Sequence, residues 1–139
     1  MNAVNNFIHN ISQVLTSSGF KPLEEFSAVD SLIYSDLELG FYSRKNSTDI
    51  GYALSCDGNK LSRQTEYEFE IRLMGISSDF SDYKTFDEKC SAFFKALSEN
   101  DNFLLKTLKM GNTYQSMPLR RLARNVSITV RLSEEVSFS

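Results

Sequence analysis

Cys56, Cys90, His9 and three glutamates at alternate positions are the residues whose types could carry chemistry in this chain. A thiol nucleophile needs a base beside it. His9 is the only imidazole and is distant in sequence from both cysteines. It falls on the polar side of a helical pattern, between Ile8 and Asn10, which reads as a solvated histidine. Cys90 sits in an apolar helical stripe, where burial raises a thiol's pKa and makes it inert. Cys56 lies by a turn signal. A lone histidine and no Cys-Xaa-Xaa-Cys spacing exclude a zinc site built on several histidines or on paired cysteines.

Glu66, Glu68 and Glu70 are two apart, so a strand sets them side by side on one face. Paired carboxylates suit acid–base or metal-assisted hydrolysis. The same spacing also suits a solvated outer face, or a subunit interface that pairs them with Arg120, Arg121 or Arg124. That arginine cluster has three readings: a solvated strand start, a set of forks for carboxylates across an interface, or a phosphate contact. Gly40, Gly51, Gly58, Gly75 and Gly111 are isolated, so no loop cradles a phosphate. These residues assign no catalytic group, cofactor or metal, and the chain reads as a non-enzyme. The six charged residues are candidate contacts with another subunit or a partner.

The elements that must position them follow from periodicity. Val4, Phe7, Ile8, Ile11, Val14 and Leu15 trace one helix face, with Gly19 at the helix end and Pro22 beyond, predicting a helix over 3–18. A loop between Phe20 and Phe26 follows. Residues 32–44 are ambiguous, although the alternation of Leu37, Leu39 and Phe41 favours a strand. Residues 44–49 read as a polar loop and 50–56 as a second strand, closed by the tight-turn signal Asp57, Gly58, Asn59. Over 65–76, Tyr67, Phe69, Ile71 and Leu73 share one face, opposite the glutamates and Arg72. A loop at 77–81 leads to a second helix over 83–98, with Asp82 or Thr85 as its cap and Phe86, Cys90, Phe93, Phe94 and Leu97 as its stripe. Two further strands are expected around Gly111 and Pro118. The last carries Val126, Ile128, Val130 and Leu132 on one face and Asn125, Ser127, Thr129 and Arg131 on the other.

The expectation is a single α+β domain over 1–139, in the order α-β-β-β-α-β-β. Its antiparallel sheet has four to five strands, with two helices on one face. Hydrophobic residues at 41% and charged residues at 24% suit a globular fold. The formal net charge of −3 argues against nucleic acid as the main partner. No apolar run approaches the roughly 20 residues of a membrane helix. The first residues lack a basic region followed by an apolar one, so no secretory signal is read and a cytoplasmic site is the default.

The order of these features resembles the tail terminator and head–tail joining proteins of long-tailed bacteriophages and prophages. They are the N-terminal amphipathic helix, its Gly19 to Pro22 exit, the strand at 67–73, the second helix with Phe93, Phe94 and Leu97, and the final strands entered through Leu119, Arg120, Arg121 and Leu122. The resemblance covers most of the chain and rests on order, length and texture, not on a diagnostic motif. It implies an α+β subunit that self-associates into a ring, usually a hexamer. That ring would cap the tail tube and meet the head connector, first in the cytoplasm of the bacterial host and then in the virion tail. It implies no catalytic residues, no cofactor, no membrane, and DNA contact that is at most indirect. The loops at 44–49 and 77–81 are short for a family whose rings often use longer arms. The alternative is a small adaptor or chaperone-like binding module.

Overall fold

A computed structural model describes residues 3–26, 28–54, 58, 60–76, 80–116 and 119–136. Helix α1 (Ala3–Ser17) buries Phe7, Ile11 and Leu15, the face that its apolar spacing marks. Its end is a Schellman closure: Gly19 N–H donates to Thr16 O at 3.1 Å and Phe20 N–H to Leu15 O at 2.9 Å. Gly19 takes φ +91°, a left-handed conformation that glycine adopts without a Cβ clash.

Strand β1 (Lys21–Glu24) then pairs in parallel with β2 (Leu39–Leu54), and helix α2 (Ala28–Ile33) lies in the crossover between them. β2 pairs antiparallel with β3 (Leu61–Met74) along its whole length. Helix α3 (Tyr83–Ser98) follows a short 3-10 turn. β4 (Leu104–Met110), β5 (Tyr114–Ser116) and β6 (Arg121–Glu135) complete the chain. Among the described residues the sheet has six strands in the order β1-β2-β3-β6-β4, with β5 on the same β6 edge as β4.

The α+β class is as expected, and the details differ. The order is α-β-α-β-β-α-β-β-β, and one strand pair is parallel. α1 and α3 do share one face. Phe7, Ile11, Leu15, Phe86, Cys90, Phe93 and Leu97 pack there on Phe69, Ile71, Leu73, Val126, Ile128 and Val130. α2 instead covers one end of the opposite face, over a small second core of Leu39, Phe41, Met74 and Ala123 joined by Tyr34.

The largest departure is at residues 44–49, expected as a loop. They are the middle of β2. Arg44 and Asn46 to Asp49 pair with Thr65, Glu66, Tyr67, Glu68 and Phe69. The segment is polar because neither of its faces lies under a helix, so no alternation marks it. Its strand geometry comes from the ladder to β3. Asp82 holds the N-cap position of α3, but its side chain makes no capping hydrogen bond. Cys56, Pro118 and most of the 77–81 loop lie outside the described residues.

Candidate assembly surfaces

Alternation along β3 puts Glu66, Glu68 and Glu70 on the face away from α1 and α3. Cross-strand register sets them beside Arg131, Thr129 and Ser127 of β6. Glu66 accepts from Arg131 at 3.0 Å, with both side chains half-buried. Glu68 is exposed and accepts from Asn46 at 3.2 Å. Glu70 faces a cleft of about 320 Å³ with Phe26, Arg44, Lys45 and Arg72. Arg72 lies over the Phe26 ring at 4.5 Å, and its buried Nε makes no hydrogen bond. The glutamates are therefore spaced by polar neighbours, which relieves their mutual repulsion. Glu68→Lys should change stability by less than about 0.5 kcal/mol and Glu66→Gln by at most about 1 kcal/mol, both measurable by urea unfolding.

The three arginines part company. Arg120 is exposed at φ 54°, on the turn that enters β6. Arg124 lies on the helix side of the sheet. Its Nε donates to Gly111 O at 2.6 Å and its Nη1 to Asp87 Oδ1 of α3 at 3.3 Å. Thr113 Oγ1 donates to the same carboxylate oxygen. Arg124 thus ties α3 to the connection between β4 and β5.

Arg121 corrects the expectation most sharply. It is 2% exposed, so its side chain cannot meet a partner subunit. Nη1 donates to Leu37 O at 2.8 Å and to Gly75 O at 2.9 Å. Nη2 donates to Ser31 O at 3.0 Å and to Tyr34 O at 2.7 Å. Burial lowers its pKa and nearby Glu38 opposes that shift. One guanidinium thus closes α2, the turn after it and the end of β3 onto β6. The three do not form one surface, because alternation along β6 sends Arg121 and Arg124 to opposite faces while Arg120 stays on the turn before it.

Cys90 is wholly buried, and burial pushes its thiol from the ordinary 9.0 up to about 12, with Arg124 opposing. The neutral thiol therefore favours the fold fully below pH 9.0, and that contribution is lost as pH rises from there towards about 12. In a Cys56→Ser chain, Cys90 should resist a thiol reagent until denaturant is added. Rapid native labelling would contradict this placement. His9 is exposed on α1. Among the described residues no cluster of His, Cys, Asp and Glu could hold a metal ion, and no helix is long and apolar enough to cross a membrane.

Two apolar surfaces escaped the sequence reading. The first is an arm. β2 runs well past the helical layer, and its outer edge is unpaired by β1 beyond Tyr42. On it Ile50, Tyr52 and Leu54 are 43%, 62% and 69% exposed. An ion pair between Arg63 and Asp49 at 3.0 Å braces the hairpin. Register breaks near Lys45 and Ile50 bulge the strand. The second surface is the outer side of α2, where Val29, Leu32 and Ile33 are 64%, 69% and 63% exposed. This helix turns Ser31 inward and its apolar residues outward. No protein-family model matches the chain, and no curated protein sequence matches it.

Proposed function

We propose that this chain is a non-enzymatic structural subunit. It grips copies of itself head to tail and closes into a ring on the end of a larger particle, as the tail terminators it resembles do. The observation that carries this reading is the arm. A hairpin that extends past its own core with Ile50, Tyr52 and Leu54 uncovered gains nothing for the monomer, since burial of such side chains is what stabilises. The arm also answers the short loops of the sequence, because residues 44–49 belong to it. Contacts between different surfaces of identical subunits generate rings when the rotation closes and filaments when it does not. The ring would match a tail tube on one side and a head connector on the other, with DNA contact indirect at most. Assembly would take place in the bacterial cytoplasm and end in the virion tail.

Sedimentation velocity across a concentration series, with negative-stain microscopy of the protein alone and with tail tubes, tests the proposal. Closed rings, or caps on tube ends, are expected. A chain that stays monomeric at every concentration and leaves tubes uncapped would overturn it. A monomer that binds one other partner would favour an adaptor.

A further inference from the structure

We infer that the cleft beside Arg72 binds a small zwitterion of the amino-acid type, with its carboxylate on Arg72 and Lys45 and its ammonium on Glu70 and Glu25. The inference does not depend on ring formation. It starts from the state of Arg72. Arg121, Arg124 and Arg131 each donate to a carbonyl or a carboxylate. Arg72 is half-buried, yet among the described residues its guanidinium makes no hydrogen bond, and its Nε is closed off from solvent. The Phe26 ring lies against it at 4.5 Å and stands edge-on to Phe41 at 5.3 Å. Buried donors are nearly always paired, so this exception asks for a cause. A planar fork with its N–H groups free is built to receive a carboxylate.

The carboxylates of the cleft decide what carries that group. Glu70 is two residues from Arg72 on the same face of β3, about 7 Å along the strand, and Glu25 lines the same cleft. Neither forms an ion pair with Arg72 or Lys45. Arg44 reaches the rim too, but its guanidinium lies over the Tyr67 ring at 5.8 Å. Two cations and two carboxylates thus share one cleft without pairing. A phosphate dianion would meet the carboxylates as like charges, which is costly. An α-amino acid carries both signs about 2.5 Å apart. With a hydrogen bond of about 2.8 Å at each end, it covers the separation of Arg72 and Glu70.

The shape agrees with the charge. The cleft holds about 320 Å³. Small-molecule sites start at about 300 Å³, so a ligand of amino-acid size suits it. Phe26, still 43% exposed, offers an apolar wall for the ligand's side chain. Glu25 holds φ 59°, a left-handed conformation that is strained for a residue with a Cβ. Its N–H donates to Tyr42 O at 2.8 Å, which fixes that bend at the end of β1. The bend sets Glu25 and Phe26 at the cleft, and strain of this kind gathers at ligand clamps.

Isothermal titration calorimetry of the full chain with the common L-amino acids and with inorganic phosphate tests the site. At least one amino acid should bind one to one, with Kd below about 1 mM. Its analogue without the ammonium, its analogue without the carboxylate, and phosphate should each bind at least about 10-fold more weakly. Arg72→Met should abolish binding and keep the parent's urea midpoint, because no hydrogen bond is lost with the guanidinium. Glu70→Gln should weaken the amino acid about 10-fold and leave the analogue without the ammonium unchanged. Lys45→Glu alters an exposed side chain and should weaken binding in a chain that folds as the parent does, so it decides the matter should Arg72→Met unfold. No saturable binding of any amino acid would overturn the assignment. So would phosphate or the bare carboxylate binding as tightly, or parental affinity in Arg72→Met or Lys45→Glu.

Discussion

Arg121→Met should destabilise the fold by about 3–5 kcal/mol, because it removes four hydrogen bonds from a charged donor to backbone carbonyls. Methionine fills comparable space with an apolar chain. It takes the guanidinium donors from the buried carbonyls of Ser31 and Gly75 and from the part-buried carbonyls of Leu37 and Tyr34, of which Tyr34 O keeps the Leu37 N–H. A buried acceptor left unpaired costs about 1–3 kcal/mol, and Ser31 O and Gly75 O are two such acceptors. Natural domains hold only about 5–15 kcal/mol in total, so the loss is a large share. Arg121→Lys should recover part of it, because one ammonium cannot span the fork geometry of a guanidinium. Arg120→Met, on an exposed neighbour, should stay within about 0.5 kcal/mol. Urea unfolding measures all three. If Arg121→Met unfolds at the same midpoint as Arg120→Met, the clamp is not what holds α2. Hydrogen exchange adds a local test: the amides of Tyr34 and Leu37, which close the turn after α2, should lose protection first.

The same residue explains why part of this fold was legible and part was not. Where a strand or helix has one buried side, its sequence says so. Phe7, Ile11 and Leu15 mark α1, and Phe69, Ile71 and Leu73 mark β3, at the periods their geometry demands. β6 shows itself likewise through Val126, Ile128 and Val130. Those segments were placed within a few residues of where they lie. Where burial does not alternate, the pattern falls silent. β2 beyond Tyr42 is exposed on nearly every residue, so its stretch 44–49 reads as a loop and splits one strand into two, although 50–54 is strand as expected. α2 is short and turns its apolar side outward, so its spacing pointed to no core. β1 is a four-residue edge strand holding Pro22, which has no N–H to donate. Charge misled in a similar way. Arg121 sits between Arg120 and Leu122 in a basic-looking corner, yet the guanidinium is inside, hydrogen-bonded by backbone carbonyls that no pattern of side chains reveals. The acidic residues behaved more simply, because a sheet face without a helical layer is where carboxylates cost least to keep.

The tightest test of how α1 sits on the sheet is Gly40→Ala, which should cost about 1–3 kcal/mol through overpacking. Gly40 lies in β2 on the helix side, paired with Leu73. A Cβ there would stand 2.5 Å from Leu15 Cδ2, 3.1 Å from Cδ1 and 3.3 Å from Cγ. One side chain supplies all three clashes, so the outcome turns on whether Leu15 can move. Its backbone is fixed by the helix closure at Gly19 and Phe20, and its side chain is wholly buried between Phe20 and the sheet. Rotation would push it into neighbours that are themselves packed to interior density. Leu15→Ala alone should cost about 2–5 kcal/mol by leaving a cavity. In the double variant the new methyl enters the space that the leucine vacates. The combined loss should then fall short of the sum of the two by about 1–2 kcal/mol. Strict additivity would mean that Leu15 and Gly40 do not meet, and the contact that seats the first helix on the second strand would have to be drawn elsewhere.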